Sequence, residues 1–195
     1  MMPRNTNGNS GENPKDKAVA TTEDVPPADL FIDRMSSSQA LAAMLANQAH
    51  AITALEAALP AIDAAADAAY QRLSTSDNGR LIYVGAGTSA RIGVQDGAEL
   101  PPTFNWPHHR IGFVIAGGEA ALLRAVENAE DNAETACAHI ADMGVAQNDV
   151  VIGLAASGST VFTTAALAAA GQTGAVTIGV ANNPNTALLD NVSYP

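Results

Sequence analysis

The sequence predicts an α/β fold built on a parallel sheet, and three observations carry that expectation. Four short apolar runs, "RLIYV" (80–84), "RIGFVI" (110–115), "DVVIGL" (149–154) and "AVTIGV" (175–180), lack polar alternation, as strands covered on both faces do. Stretches of helical length separate them, as crossovers between parallel strands require. Loops rich in glycine and hydroxyls follow the first and third runs, at the strand ends where such sheets bind ligands.

Taken from the N-terminus, residues 1–28 are rich in Asn, Gly, Pro and charge and are expected to form a disordered arm. A helical lead-in over 29–78 follows, helical in pattern from Ser36. Its Leu41, Leu45, Ile52, Leu55 and Leu59 recur at helical spacing and form one stripe. Pro60 is expected to end that helix and to begin a second, "PAIDAAADAAYQRL", which "STSDNG" closes. The stripe is longer than a sheet of four or five strands need cover, so the lead-in is expected to pack partly on a second copy, as a homodimer. The sheet domain spans 79–195, with helices expected over 89–98, 119–128, 131–143 and 160–170. "NVSYP" (191–195) reads as the start of a further strand, so the domain is expected to be incomplete on its C-terminal side.

A chain of 195 residues suits one core. Nine Lys and Arg against 20 Asp and Glu give a formal charge of −11, which argues against a nucleic-acid partner. The single cysteine, Cys137, has no partner for an internal disulfide and reads as a small core residue on a helix. No apolar run approaches the ~20 residues needed to span a bilayer, and no signal-peptide pattern opens the chain. The default setting is therefore cytoplasmic, with no membrane partner. His50, His108, His109 and His139 lack the spacing of zinc ligands, so no metal is expected, and "WPHHR" reads as a surface loop.

The two loops are "GAGTSAR" (85–91) and "AASGSTVF" (155–162). Each joins glycine, which lets backbone approach an anion, to hydroxyl donors and the positive start of a helix. Either alone is an ordinary turn. Two at neighbouring strand ends make a phosphate cradle from Gly87, Thr88, Ser89, Ser157, Gly158, Ser159 and Thr160. The rival is a dinucleotide site, since Gly85, Gly87 and Ala90 spell G-x-G-x-x-A after a strand. That site also wants an acid at the end of the second strand, where this chain has "IAGGE".

Two carboxylates remain. Glu99 precedes Pro101 and Pro102, which are expected to end its helix and fix the backbone beside it, among apolar neighbours that would favour the neutral acid. On residues alone, a positioned acid and a solvated helix end are both open. Glu130 lies in "AVENAEDNAET", which on residues alone reads as a solvated acidic face.

Three segments, "GRLIYVGAGTSARIGVQDGAELPPTF", "IAGGEAALLRAVENAED" and "DVVIGLAASGSTVFTTAAL", resemble in order and spacing the sugar isomerase (SIS) domain of N-acetylmuramic acid 6-phosphate etherases. "AELPPTF" and "ENAED" are particular to the etherase branch, whereas the Gly and Ser loops are shared across the superfamily. The resemblance implies a three-layer α/β/α sandwich with a flavodoxin-like sheet and sites at a dimer interface. It implies a sugar 6-phosphate substrate, no cofactor, and cleavage of the lactyl ether with Glu99 and Glu130 as catalytic acid–base residues. Three departures stand out: Ala90 where the family often has glycine, Ser159 where it often has arginine, and Val161 where it often has proline. Family members also continue beyond the equivalent of Pro195. A non-catalytic sugar phosphate-binding module is the alternative, and an aldose–ketose isomerase a third reading that "AELPPTF" disfavours.

Overall fold

The structure, a computed structural model, describes Thr22, Val25 and residues 31–195. Apart from those two residues, the arm expected over 1–28 lies outside the described residues. Helix α1 (Ser37–Ser74) opens with a reciprocal cap in which Ser36 Oγ accepts the Gln39 N–H while Gln39 Oε1 accepts the Ser36 N–H. It runs unbroken through Pro60, so the expected break does not occur. Proline already has helical φ, and the group it leaves without a donor is the Glu56 carbonyl, on a stretch of helix exposed to water. The alanine-rich flanks carry the helix across.

Strands β1 (Leu81–Gly85), β2 (Ile111–Ile115), β3 (Val150–Leu154) and β4 (Val176–Val180) form one all-parallel sheet in the order β2-β1-β3-β4. They coincide with the four apolar runs. Their alternate residues face opposite layers. Tyr83, Phe113 and Ile115 meet α2 (Gly87–Phe104) and α3 (Ala120–Leu123), whereas Ile82, Val84, Val114 and Val151 join α4 (Ala133–Asp142) and α5 (Val161–Gln172) in the main core. This is the expected three-layer sandwich. A short α6 (Ala187–Asp190) follows β4, and Tyr194 then pairs parallel with Ile178, its N–H donating to the Thr177 carbonyl at 3.0 Å. The fifth strand expected at "NVSYP" thus begins there.

Two further helices depart from expectation. Helix α2 passes through Pro101 and Pro102 and ends at Asn105, whose left-handed backbone (φ 53°) lets the Trp106 N–H reach the Leu100 carbonyl. Glu99 therefore does not close the helix. Close packing sets α2 against the sheet: a Cβ on Gly97 would lie 2.7 Å from the Phe113 ring. Of the helix expected over 119–128 only Ala120–Leu123 forms, because Arg124 is extended (φ −150°) and Leu123 is 93% exposed, leaving no continuous buried stripe to hold a longer helix. Cys137 lies on α4 as expected but is exposed, since Ala136 and Ile140 occupy the buried face. His108 and His109 stand exposed in a short 3-10 turn, as the loop reading anticipated.

Polar clamps hold the end of the sheet opposite the two loops. Buried Asp149 takes Arg80 Nη2 at 2.6 Å, Arg80 Nε at 3.1 Å, and the Arg80 and Ala146 amides at 2.9 Å each. Arg80 also donates to the Met143 and Gly144 carbonyls. Burial pushes the Asp149 carboxyl up, but the Arg80 hydrogen bond, those amides and the guanidinium charge outweigh it and hold the acid below its ordinary range. Arg110 donates to the Leu73, Ser76 and Gly79 carbonyls, and Arg72 to Gln147 and Gly174, which pins the C-terminal end of α1. No helix among the described residues is long and apolar enough to cross a membrane.

Candidate functional site

Strand β1 lies between β2 and β3, so the chain winds outward in both directions from the β1/β3 pair. The loops that leave β1 and β3 are neighbours at that reversal point, where an open sheet presents a crevice. The sequence separates these loops by some seventy positions; the sheet order brings them together.

Each loop opens a helix whose first amides have no side-chain cap. The N-cap of α2 is Ala86 and that of α5 is Thr160, and neither makes a side-chain cap bond. Two helix starts with free N–H groups and their partial positive charge thus converge on one crevice. In the first loop Gly87 has φ +53° with open space at its Cβ position, and Gly87 and Thr88 are exposed. Ala90, the departure from the family pattern, is buried under Gly85, where a Cβ would come within 3.0 Å of Ala90's backbone.

The second loop is held from below. Gly158 has φ +71°, and a Cβ there would lie 2.3 Å from Thr186 Oγ1, so only glycine fits. Its carbonyl accepts the Leu188 N–H at 3.0 Å. Ser159 donates its amide and its hydroxyl to Ser157 Oγ, at 3.2 and 3.1 Å, so the two hydroxyls sit as a pair. Buried Asn183 donates to the Ser157 carbonyl at 3.1 Å and to Thr22 Oγ1 at 2.8 Å. Asn183 was not among the expected site residues; "ANNPNT" reads as a plain turn until β4 carries it under the loop.

A cavity of about 250 Å³ opens beside the first loop, with Gly87 and Thr88 on one side and Glu130 on another. Glu130 sits in the 3-10 turn Ala129–Asp131, entered through left-handed Asn128 (φ 59°), and Ala129 packs on the main core. Of the acidic stretch that reads as a solvated face, Glu127 and Glu130 therefore border the cavity beside the first loop. Arg91 and Arg124 line the same cavity and were not expected there. Arg91 donates to the Leu122 and Ala121 carbonyls at 3.1 and 2.9 Å, tying the start of α2 to the end of α3.

Glu99 does not join this group. It is exposed on α2, twelve positions beyond Gly87, and a helix rises about 1.5 Å per residue, so roughly 18 Å separates the two along the axis. Nearby, Tyr83 donates to Asp96 Oδ2 at 2.5 Å; burial first, then that hydrogen bond, raise the phenol above its ordinary range. Among the described residues no three His, Cys, Asp or Glu cluster as a metal would need.

Residues 64–171 match the family model described as the glucokinase regulatory protein N-terminal SIS domain. Among curated proteins, the N-acetylmuramic acid 6-phosphate etherase of Deinococcus radiodurans is 42% identical over 174 residues, covering 89% of this chain and 56% of that protein. The etherase of Pasteurella multocida is 41% identical over 167 residues, covering 86% and 55%. The chain thus spans about half the length of the curated relatives it matches. Among solved structures, a phosphoheptose isomerase from Francisella tularensis superposes with a TM-score of 0.62 at 22% identity, over 83% of this chain and 82% of that one. A likeness at that identity speaks for the fold.

Proposed function

Because the chain belongs to the SIS-domain family, and its loops, turns and carboxylates must be read within that family, we propose that it is an N-acetylmuramic acid 6-phosphate etherase. The reaction would serve the recycling of cell-wall amino sugars, a cytoplasmic task. One observation supports this reading most: Glu130 shares a cavity with the amide-rich loop at Gly87 and Thr88, in a chain about 42% identical to an etherase. The loops would bind the 6-phosphate through uncapped helix amides and the hydroxyls of Ser89, Ser157, Ser159 and Thr160. In the ring-opened sugar, the C1 aldehyde acidifies the proton on C2. Glu130 would remove it, the C3–O bond would break, and Glu99 would protonate the departing lactate oxygen. The same Glu99 would then take a proton from water as its oxygen adds to C3, and C2 would be reprotonated, leaving N-acetylglucosamine 6-phosphate and D-lactate.

That division of labour needs Glu99 near the cavity, and its own chain holds it far along α2. A homodimer with the site between protomers would supply the partner subunit's Glu99. A cavity of about 250 Å³ is small beside the roughly 300–1,000 Å³ usual for ligand pockets, as a half-built site would be. The stripe on α1 supports the dimer: Leu41, Leu45, Ile52, Leu55 and Leu59 are each 58–74% exposed in the protomer. Sedimentation at micromolar concentration is expected to give a dimer that the pair Leu45→Glu, Leu55→Glu dissociates. A parent chain that sediments as a monomer would remove this account of Glu99.

Loop chemistry is tested by binding. Replacing Ser157 and Thr160 by alanine is expected to weaken binding of N-acetylglucosamine 6-phosphate by about 1.5–3 kcal/mol for each charge-assisted hydrogen bond lost. Unchanged affinity would take these hydroxyls out of the site. The position of Glu99 also favours a second reading, a non-catalytic sugar phosphate-binding module. Incubation of the chain with N-acetylmuramic acid 6-phosphate separates the two: release of D-lactate is expected of the etherase, and tight binding with no lactate of the module.

A further inference from the structure

Arg124 lines the cavity, and among the described residues its side chain has no partner. Arg91 is committed to two backbone carbonyls, whereas the Arg124 side chain makes no hydrogen bond or ion pair with any described residue, although Glu127 and Glu130 line the same space. Its backbone is extended at the end of α3, two residues past the Leu122 carbonyl that Arg91 holds, so it stands on an anchored base. On the etherase reading above, on which this inference rests, the substrate carries two anions: the phosphate on C6 and the carboxylate of the lactyl group on the C3 oxygen. The loops offer amides and hydroxyls for phosphate oxygens, and the one guanidinium among them, Arg91, is already committed to backbone carbonyls. C2 and C3 are adjacent, so a base within hydrogen-bond reach of the C2 proton lies within a few ångströms of the C3 substituent. Glu130 and Arg124, six positions apart in the chain, line that one cavity.

We infer that Arg124 binds the lactyl carboxylate as a bidentate guanidinium–carboxylate pair, and so selects phosphosugars that carry a 3-O-lactyl group over the same sugar with a free 3-hydroxyl. Its role is distinct from that of the loops, which see only the phosphate common to both sugars.

The test titrates the full chain carrying Glu130→Gln, which on the reading above leaves the lactyl sugar uncleaved and serves as the parent, by calorimetry with N-acetylmuramic acid 6-phosphate and, separately, with N-acetylglucosamine 6-phosphate. The parent is expected to bind the lactyl sugar more tightly. Arg124→Met is expected to weaken binding of that sugar about 10- to 100-fold, while the sugar lacking lactate changes by less than about twofold. Arg124→Lys, which keeps the charge and loses the fork, should fall between parent and methionine variant. Arg124 is exposed, so the variants should keep the parent's circular dichroism spectrum. Equal weakening of both sugars would make Arg124 a phosphate ligand, and no weakening of either would leave it a bystander. Both results overturn the inference and leave the etherase reading standing. A parent that binds neither sugar brings down both.

Discussion

Glu130→Gln is expected to abolish lactate release and also exchange of the substrate's C2 proton with deuterium from solvent. Glu99→Gln should abolish lactate release yet still exchange that proton. The asymmetry follows from where the two carboxylates stand. Glu130 lines the cavity beside Gly87 and Thr88, and on the proposed reading it reaches C2 from its own protomer. On the same reading Glu99 enters late, when the C3 oxygen must leave with a proton and water must return. Loss of a general acid–base group costs about 10²–10⁴ in rate, enough to stand clear of assay error. Lactate release at the parent rate in both variants would make the carboxylates structural and end the etherase mechanism here. Loss of exchange in both would show that the steps are not divided in this way. Mixing the two variants adds a third readout: if each site takes Glu130 from one protomer and Glu99 from the other, heterodimers regain one intact site and with it part of the activity.

Asp149→Ala is expected to cost about 3–5 kcal/mol of stability near neutral pH, the range for breaking a buried charged pair by removing one partner. That is a large part of the 5–15 kcal/mol that typically holds a domain folded. The acid joins the start of β1 to the approach of β3, and without it Arg80 and the amides of Arg80 and Ala146 lose their acceptor together. The sign of the pH effect follows from the shift. Asp149 is held below its ordinary value of 3.8, so it binds a proton more readily unfolded than folded. Its contribution is complete above that value and is lost as pH falls through the lower, folded one. Denaturant unfolding of parent and variant from pH 7 downward should therefore show a gap that is constant to about pH 4 and then closes. A gap of the same size at pH 3 and pH 7 would rule out ionised Asp149 as the source.

The strands and both loops were legible because their signals are local. An apolar run covered on two faces declares itself in five residues, as "LIYVG" and "VVIGL" do, and glycine beside hydroxyls marks a tight turn whatever surrounds it. Helix ends were less legible, since a rule that stops a helix at proline assumes the lost hydrogen bond cannot be spared. At Pro60 the freed carbonyl meets water, and at Pro101 and Pro102 the helix has only one more turn to run. Glu130 was legible only through resemblance. Four acids between 127 and 134 look alike in sequence, and which of them border the cavity, Glu127 and Glu130, depends on the left-handed turn at Asn128 between them. Arg124 and Asn183 carried no signal, because a lone arginine and a lone asparagine acquire their roles from the layers that meet around them. The placement of Cys137 turned on a helix phase that its small neighbours leave unstated.

The pairing of β1 with β3 has a kinetic consequence. Leu81 lies against Val150, sixty-nine positions away, so the central ladder closes only after a long stretch of chain has been gathered in. Long-range parallel pairing of this kind is slow. The loops that follow Gly85 and Leu154 both leave that one ladder, so the crevice between them requires its closure. A phosphosugar that touches both loops then bridges the segments that must separate when the ladder opens. Such a ligand acts as a brake on opening, lengthening the lifetime of the native state by contacts that the transition state for unfolding has already surrendered.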